Sequence, residues 1–506
     1  MSYRHFLLAG LCLCYSFKSR SQEPQATQIS YDITTGAAVG TGDYTAYQLV
    51  SNRHHVLGTR SNTAYMRGAV NVEHSLGKDW TLSGTVDAIA SVHADHRAYL
   101  QQCFAKLAFK DFFVEVGARE QNQVIREEQL SIGSFAKGTN AKPLIQAHFG
   151  TDKMWAVPYT KGILEIDFDF GYGKFLDSDY REKKFLEAPV NNNGKNINER
   201  YATNILYHQK HLYFRINFNE QFFFIGGMEH VVQFGGTLHY WDMNNQFVTK
   251  QKGTGIKDYM KVILPLGDKN YYEHDAHEDW IFGNHLGTMT VQLGWNINKS
   301  HTLQAYYDDI FEDGSGMRKS NGWDGTYGLQ YNNKSSGIQY VRGVVLEYFQ
   351  STNQCGPLHF DAGDYPETAK KIKDKVVGDD NYYNHTRYDS YAHYGMAIGN
   401  PLLTSPIYNN DGITAFKDNR VKAWHLGMNG ELTEHISYLM KGSYREGWGT
   451  YHMPLATKHH SFDAMVQGIY TSGPWQFCAS YAFDKGNIYG DNSTFDIKIG
   501  YHGKIL

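Results

Sequence analysis

Met289, Val291, Leu293, Trp295 and Ile297 are apolar, and Thr288, Thr290, Gln292, Gly294 and Asn296 fall between them. The same two-residue period returns at Leu164–Tyr172, Leu212–Phe218, Trp475–Phe483 and Phe495–Tyr501. Side chains alternate faces along a β-strand, so each run reads as a strand with one apolar and one polar face. Nothing of helical period competes over comparable length. The composition agrees: 50 Gly, 37 Tyr and 28 Phe against 11 Pro suit many strands joined by tight turns.

The spacing between strands carries the next constraint. Short turns fall at Gly77-Lys78-Asp79, Lys110-Asp111, Asn219–Gln221, Asn298–Ser300, Asn332–Ser336, Thr433–His435 and Thr471–Pro474. Long connections fall at Gln121–Ala141, Leu176–Thr203, Gln233–His285, Glu312–Gly322, Gln350–Asn419 and Gly447–His459. The two kinds alternate, with a short link near Asp95 and a middling one at Thr151–Lys161 as exceptions. About 18 strands are expected between Ala46 and His502. The predicted fold is all-β: a transmembrane, outer-membrane β-barrel of antiparallel strands. It has short periplasmic turns, long extracellular loops and small helical insertions. A soluble multi-sheet protein would also alternate, but it would not sort its loops by length in this way.

The polar faces carry Asp87, Glu165, Asp167, Asp169, Arg215, Lys441, Arg445 and Asp484. Charges on a lipid-facing wall are costly, so these residues should line the lumen and the aromatic faces should meet lipid. A mean hydropathy of −0.51 excludes a bundle of membrane helices. The apolar run Phe6–Phe17, flanked by Arg4 and Lys18-Ser19-Arg20-Ser21, reads as a cleaved secretory signal over residues 1–21. Residues 22–45 are expected as an N-terminal periplasmic segment and 46–506 as the barrel. Removing Arg4, Lys18 and Arg20 takes the net charge from −4 to about −7. No basic cluster suggests nucleic acid. The mature cysteines, Cys103, Cys355 and Cys478, are too few and too scattered for a disulfide framework.

No G-x-S-x-G elbow, P-loop or zinc-finger spacing occurs, so neither catalysis nor a cofactor is expected. His274 and His277 lie among carboxylates at i, i+3, but no third metal ligand can be named, and a solvated loop is expected. Asp308-Asp309 with Glu312-Asp313 gathers acids at a strand end. Paired acids can run glycosidic chemistry or bind a divalent cation, but a polar loop is the expectation. Ile256, Tyr259, Met260 and Ile263 have helical spacing that Pro265 stops. Such a helix can fold over or into the lumen, or lie on the surface. Tyr365–Asp380 also has helical spacing.

Two aromatic-polar clusters sit at expected outer loop ends: Trp323, Asp324 and Tyr327, and Trp448 and Tyr451. Sugar rings stack on Trp and Tyr, and their hydroxyls pair with Asp and Asn, so these residues suit glycan binding. Trp and Tyr also form girdles at membrane interfaces, and that alternative stays open.

Four strings resemble the Wzi capsule-assembly family of Gram-negative outer membranes. They are Gly399–Gly412 (GNPLLTSPIYNNDG), Met228–Gly236 (MEHVVQFGG), Asp309–Met317 (DIFEDGSGM) and Asn321–Leu329 (NGWDGTYGL). The resemblance implies an 18-stranded barrel, occluded by helices and loops, that binds capsular polysaccharide as a lectin-like anchor and is not an enzyme. It adds Asn400, Tyr408, Asn409 and Asp411 to the candidate glycan contacts. Pro401 and Pro406 of the same string read equally as rigid loop punctuation. The other expected partner is outer-membrane lipid, and the polar loops suggest a monomer. The competing function is a porin or sugar channel, since 18 strands can enclose an aqueous pore.

Overall fold

The alternating runs form one antiparallel sheet that closes on itself. The computed structural model describes residues 27–123, 125–191, 194–242, 246–264, 282–312, 314–317, 319, 321–354 and 381–506. The expected signal, the His274/His277 loop and the Tyr365–Asp380 stretch lie outside the described residues.

The barrel has 18 strands. They are β1 (Thr27–Thr41), β2 (Thr63–Ser75), β3 (Trp80–Val92), β4 (Ala98–Phe109), β5 (Phe112–Ala118) and β6 (Ile145–Thr151). Next come β7 (Leu164–Lys174), β8 (Leu206–Asn217), β9 (Phe222–Phe234), β10 (Asn284–Asn296), β11 (His301–Phe311) and β12 (Gly325–Asn333). The last six are β13 (Gly343–Gln350), β14 (Val421–Glu431), β15 (Ile436–Gly449), β16 (Pro454–Ser472), β17 (Trp475–Gly486) and β18 (Asn492–Lys504). A two-residue piece, Trp155–Ala156, continues the edge of β6 along β7. Each strand pairs with its sequence neighbour, and β1 pairs with β18 from Ser30↔Lys504 to Thr41↔Ser493. Closure leaves no free sheet edge. Among the described residues no helix is long and apolar enough to cross a membrane.

Two sequence expectations need correction. The stretch expected as a periplasmic segment over 22–45 supplies the barrel's first strand, Thr27–Thr41. The alternation there is faint because the side chains are small. Gly36 must be small, since a Cβ on it would sit 2.6 Å from the ring of the inward Tyr65. The connection expected at Gly447–His459 is mostly strand: β15 runs to Gly449 and β16 starts at Pro454. A shift of register between Gly447 and Gly449 marks the irregularity that made it look like a loop.

Short turns gather at the end that holds both termini, and long loops gather at the other. The outward faces are apolar and exposed, as at Val70, Val86, Leu212, Leu293, Leu426 and Val466. Aromatic side chains ring both ends of this apolar band. At the loop end Tyr307, Tyr327, Tyr348, Trp424 and Tyr444 lie directly opposite one another on five successive strands. At the turn end lie Trp80 with Phe109, Phe222 with Trp295, and Trp475 with Tyr501. This is the double girdle of a membrane-spanning barrel.

The lumen-facing charges expected from sequence are inside. Asp87, Asp167, Asp169, Lys441, Arg445 and Asp484 are buried, and Glu165 and Arg215 are half-buried. Burial of so many charges is tolerable only if each finds a partner. Many find one in loops that turn back into the barrel. Residues 44–57, 125–144 and 381–419 fill the loop-end half of the lumen. Their Tyr382, Tyr383, Tyr391, Phe135, Leu402 and Phe416 pack against inward residues of the wall: Val231, Leu286, Ile310, Phe349 and Val421.

Candidate functional site

The wall's charges hold the plug at its backbone. Glu347 on β13 accepts from the Ser131 hydroxyl, the Ile132 N–H (2.7 Å) and the Tyr306 hydroxyl (2.6 Å). Asp484 on β17 accepts the N–H of Tyr47 at 3.0 Å. Arg445 on β15 donates to the carbonyl of Leu402 at 3.0 Å and lies between the rings of Tyr47 and Tyr489. His425 meets the Leu130 carbonyl at 2.7 Å. Bonds to charged groups are worth about 1.5–3 kcal/mol each, so several together fix three loops in one arrangement.

The string 399–412 lies within this plug. Gly399 leaves no room for a side chain: a Cβ there would strike the Phe135 carbonyl and the Tyr383 hydroxyl. Tyr383 ties both segments, donating to the Phe135 carbonyl and accepting the N–H of Asn400 (2.7 Å). The two prolines punctuate the loop as read, with Pro406 opening a 3-10 turn over Pro406–Tyr408.

Where the string emerges at the loop end it forms one wall of a cleft. The opposite wall is the helix Ser178–Glu187, which follows β7, with Tyr201 from a small sheet above the rim. The cavity between them is about 40 Å³, and Tyr180, Arg181, Lys184, Tyr201, Asp389 and Asn409 are among its lining residues. That volume takes a few water-sized groups and not an enclosed sugar ring. It suits hydroxyls or the edge of a larger polar ligand.

Each wall is fixed from behind. Arg181 is buried and donates to Asp177 (3.0 Å) and to the carbonyls of Tyr388 and Ala392. The second oxygen of Asp177 is buried without a hydrogen-bond partner. Tyr201 stacks on His239 with centroids 4.4 Å apart and planes 8° apart. Asn198 clasps the string, donating to the Gly412 carbonyl and accepting the Thr414 N–H. Burial raises the Asp389 carboxyl above its ordinary range. At Asp411 burial is outweighed by Lys417 and the Ile413 N–H, so its carboxyl lies below the ordinary range.

The candidate residues do not converge on one site. Asn400 is fully buried and Tyr408 nearly so, which makes both packing residues of the plug. Asn409 lines the cleft, but its amide donates to the Ile413 and Ala415 carbonyls. Asp411 is exposed at the surface, paired with Lys417. Asp324 is buried and accepts the N–H groups of Asn353 and Gln354, an internal clamp. Tyr327 belongs to the outward girdle. Trp448 is half-exposed on the outer rim between Lys422 and Lys458. Trp323, at 73 % exposure, and Tyr451 are open to solvent. Asp308 and Asp309 point to opposite faces of β11: Asp308 pairs inward with Arg126, Asp309 outward with Lys319. They therefore form no carboxylate pair.

Sequence reading missed the helix wall. Arg181 and Phe185, at i and i+4, are the buried residues of Ser178–Glu187, and that spacing was the available signal.

No family model matches the chain, and no curated protein matches it in sequence. The likeness to known proteins is one of shape. The chain is similar to the structure of Wzi from Escherichia coli, an outer-membrane protein involved in group 1 capsule assembly and a carbohydrate-binding β-barrel. The TM-score is 0.54 at 9% identity, over 93% of this chain and 83% of that one. Two Pseudomonas aeruginosa barrels, OccK5 (OpdH) and OprD, align at TM-scores of 0.46 and 0.43 with 9% and 8% identity. They cover 95% of this chain and 98% and 96% of their own lengths. The closed antiparallel sheet and the 0.54 match give the chain the outer-membrane β-barrel fold.

Proposed function

We propose that this chain is a non-enzymatic outer-membrane protein that binds a surface polysaccharide at its loop end and attaches it to the cell. The observation that carries the reading is the filled lumen. Three loops latched to buried wall charges pack into the loop-end half of the lumen, on the route a porin would use for solute. The loop end then offers a cleft of Tyr, Asp, Asn and Lys together with the exposed Trp323 and Tyr451, groups that stack on and hydrogen-bond to sugars. Resemblance in the 399–412 string and similarity in shape to a carbohydrate-binding barrel support the same reading. In it the leader at 1–21 delivers the chain, the apolar band meets lipid, and capsular polymer is the ligand. One polymer engages many barrels, so weak single contacts add to firm retention.

The test is the split between cell-bound and shed polysaccharide. Deleting the gene should leave total polymer unchanged and collapse the bound fraction. Tyr180→Ala with Lys184→Ala and Trp323→Ala should lower the bound fraction severalfold while heat-modifiable barrel folding is retained. The wild-type protein in a planar bilayer should be nearly silent. Steady, salt-dependent current with an unchanged polysaccharide split would replace this reading with a channel.

A further inference from the structure

On β8 to β10, four outward positions at the loop end break the apolar rule of the wall. His208 and Lys210 on β8, His230 on β9 and His285 on β10 all point away from the lumen. Their strand neighbours confirm it: Leu212 is outward and exposed, while Tyr207 and Val231 pack into the plug. Yet His208, His230 and His285 are almost completely buried. What covers them is the described stretch 256–264 of the β9–β10 loop, which lies against the outside of the barrel. Val262 is buried with Val232 and Phe234, flanked by Tyr172, Tyr259 and Phe282. The hydroxyl of Tyr172 donates to the Tyr259 carbonyl at 2.8 Å, and the Lys210 ammonium donates to the Ile263 carbonyl.

This strap contains the helix Ile256–Lys261, as its spacing suggested, but it enters no lumen and its apolar residues divide between two faces. Tyr259 and Val262 face the wall. Ile256 is 83 % exposed, Met260 63 % and Leu264 is exposed beside them. Ile256 and Met260 stand one turn apart on the helix, and Leu264 is exposed in the turn that follows it. Lys257 and Lys261 are exposed on the same short helix, and its Asp258 turns back to cap the Gly255 N–H. The strap covers an outward wall at the height of the upper girdle. Its far face therefore stands where the outer part of the membrane begins.

The geometry points to this strap as a membrane-dipping anchor: Ile256, Met260 and Leu264 enter the acyl region of the outer leaflet, and Lys257 and Lys261 meet glycolipid phosphates. An apolar face bordered by lysines is the pattern of an interfacial helix. The inference rests on the membrane reading above and adds a specific lipid contact to it. It also explains how a wall with three histidines and a lysine is tolerated: the strap stands between them and lipid.

The experiment places a nitroxide label at one position at a time, in full-length protein with all five cysteines replaced by Ser. The protein is reconstituted in phosphatidylethanolamine vesicles with or without lipid A. Collision rates with oxygen, which partitions into lipid, and with a water-soluble nickel chelate are compared. A label at Leu293→Cys reports the barrel wall, Met260→Cys the far face and Tyr259→Cys the seated face. The label at 260 should favour oxygen severalfold, as the label at 293 does, while that at 259 is shielded from both reagents. Lys257→Glu with Lys261→Glu should shift the 260 ratio at least threefold toward water, in lipid A vesicles only. A 260 label that favours nickel while 293 favours oxygen overturns the anchor and leaves the membrane reading intact. Both labels favouring nickel would overturn both. An equal charge-reversal effect with and without lipid A would overturn the phosphate contact.

Discussion

The β13–β14 loop and the β9–β10 loop are both long, and both leave the same rim. The first, residues 351–420, turns into the lumen, and its described part becomes the plug. The second, residues 235–283, divides: 237–241 and 247–251 join the small sheet above the rim, with Tyr240 against the plug, while 256–264 strap the outer wall. The difference lies in what each side of the wall presents. Inside, Glu347, Asp484 and Arg445 are charges that need backbone partners, and loop backbone supplies them. Outside, His208, Lys210 and His230 need cover from lipid, and Tyr259, Val262 and the Ile263 carbonyl supply it. Loops at a barrel mouth are thus directed by unsatisfied polar groups of the strands beneath them.

The comparison can be broken most directly at Gly399. Gly399→Ala forces a methyl group into the Phe135 carbonyl and the Tyr383 hydroxyl. We expect a loss of about 3 kcal/mol or more in plug packing. The variant should remain a heat-modifiable barrel, gain trypsin sites within 381–419 and show bilayer current. A silent, protease-resistant Gly399→Ala protein would mean that the plug is not held by this contact. Strap exposure should not change.

The next effect is on pH. The inward loop is clamped at both ends by buried carboxyls outside the strands. Asp324 holds the Asn353 and Gln354 N–H groups, and Asp418 holds that of Gly449. Burial raises both to about 6, against the opposing pull of those N–H groups. A raised carboxyl binds its proton more tightly in the folded loop, so its stabilisation is full below the ordinary carboxylate value of 3.8 and is lost as pH rises through about 6. The clamps should therefore be tighter near pH 4.5 than near pH 7.5, by about 1–2 kcal/mol. Hydrogen exchange at the amides of Asn353 and Gln354, corrected for intrinsic rates, reads this. In Asp324→Asn the step should flatten, and the strap amides should show no such step. A step of equal size in the variant would assign it to another group.

The smallest effect is at the strap itself. Tyr259→Ser removes one half-buried ring from Tyr172 and Phe234, about 1 kcal/mol. Limited proteolysis should open the strap near residue 259 without altering the plug. Simultaneous loosening of the plug would show that the two loops are coupled across the wall.

How much of this was legible follows from the kind of signal each part leaves. Strands such as β10 and β17 are plain because the wall separates lipid from lumen, and large outward residues mark every second position. β1 was overlooked because Gly36, Ala37, Ala38 and Gly40 carry the same alternation in side chains too small to mark it. Asp87, Asp169 and Arg445 were placed in the lumen correctly because lipid forbids them the other side. Asn400 and Tyr408 were read as ligand contacts, yet they are plug. Polar and aromatic residues suit a buried network as well as a sugar, and only packing separates the two.

Alternation, loop spacing and the placement of charge decide the barrel and its two faces, because each is a local property repeated along the chain. The path of the loops is not local. Whether 399–412 fills a lumen or grips a ligand depends on Phe135, more than 250 residues away, and on Glu347 and Arg445 across the barrel. The cleft likewise exists only where Ser178–Glu187 comes to face residues 389–414. Those meetings are made by closure of the sheet, which brings distant rims together at fixed spacing, and no period in the sequence records them.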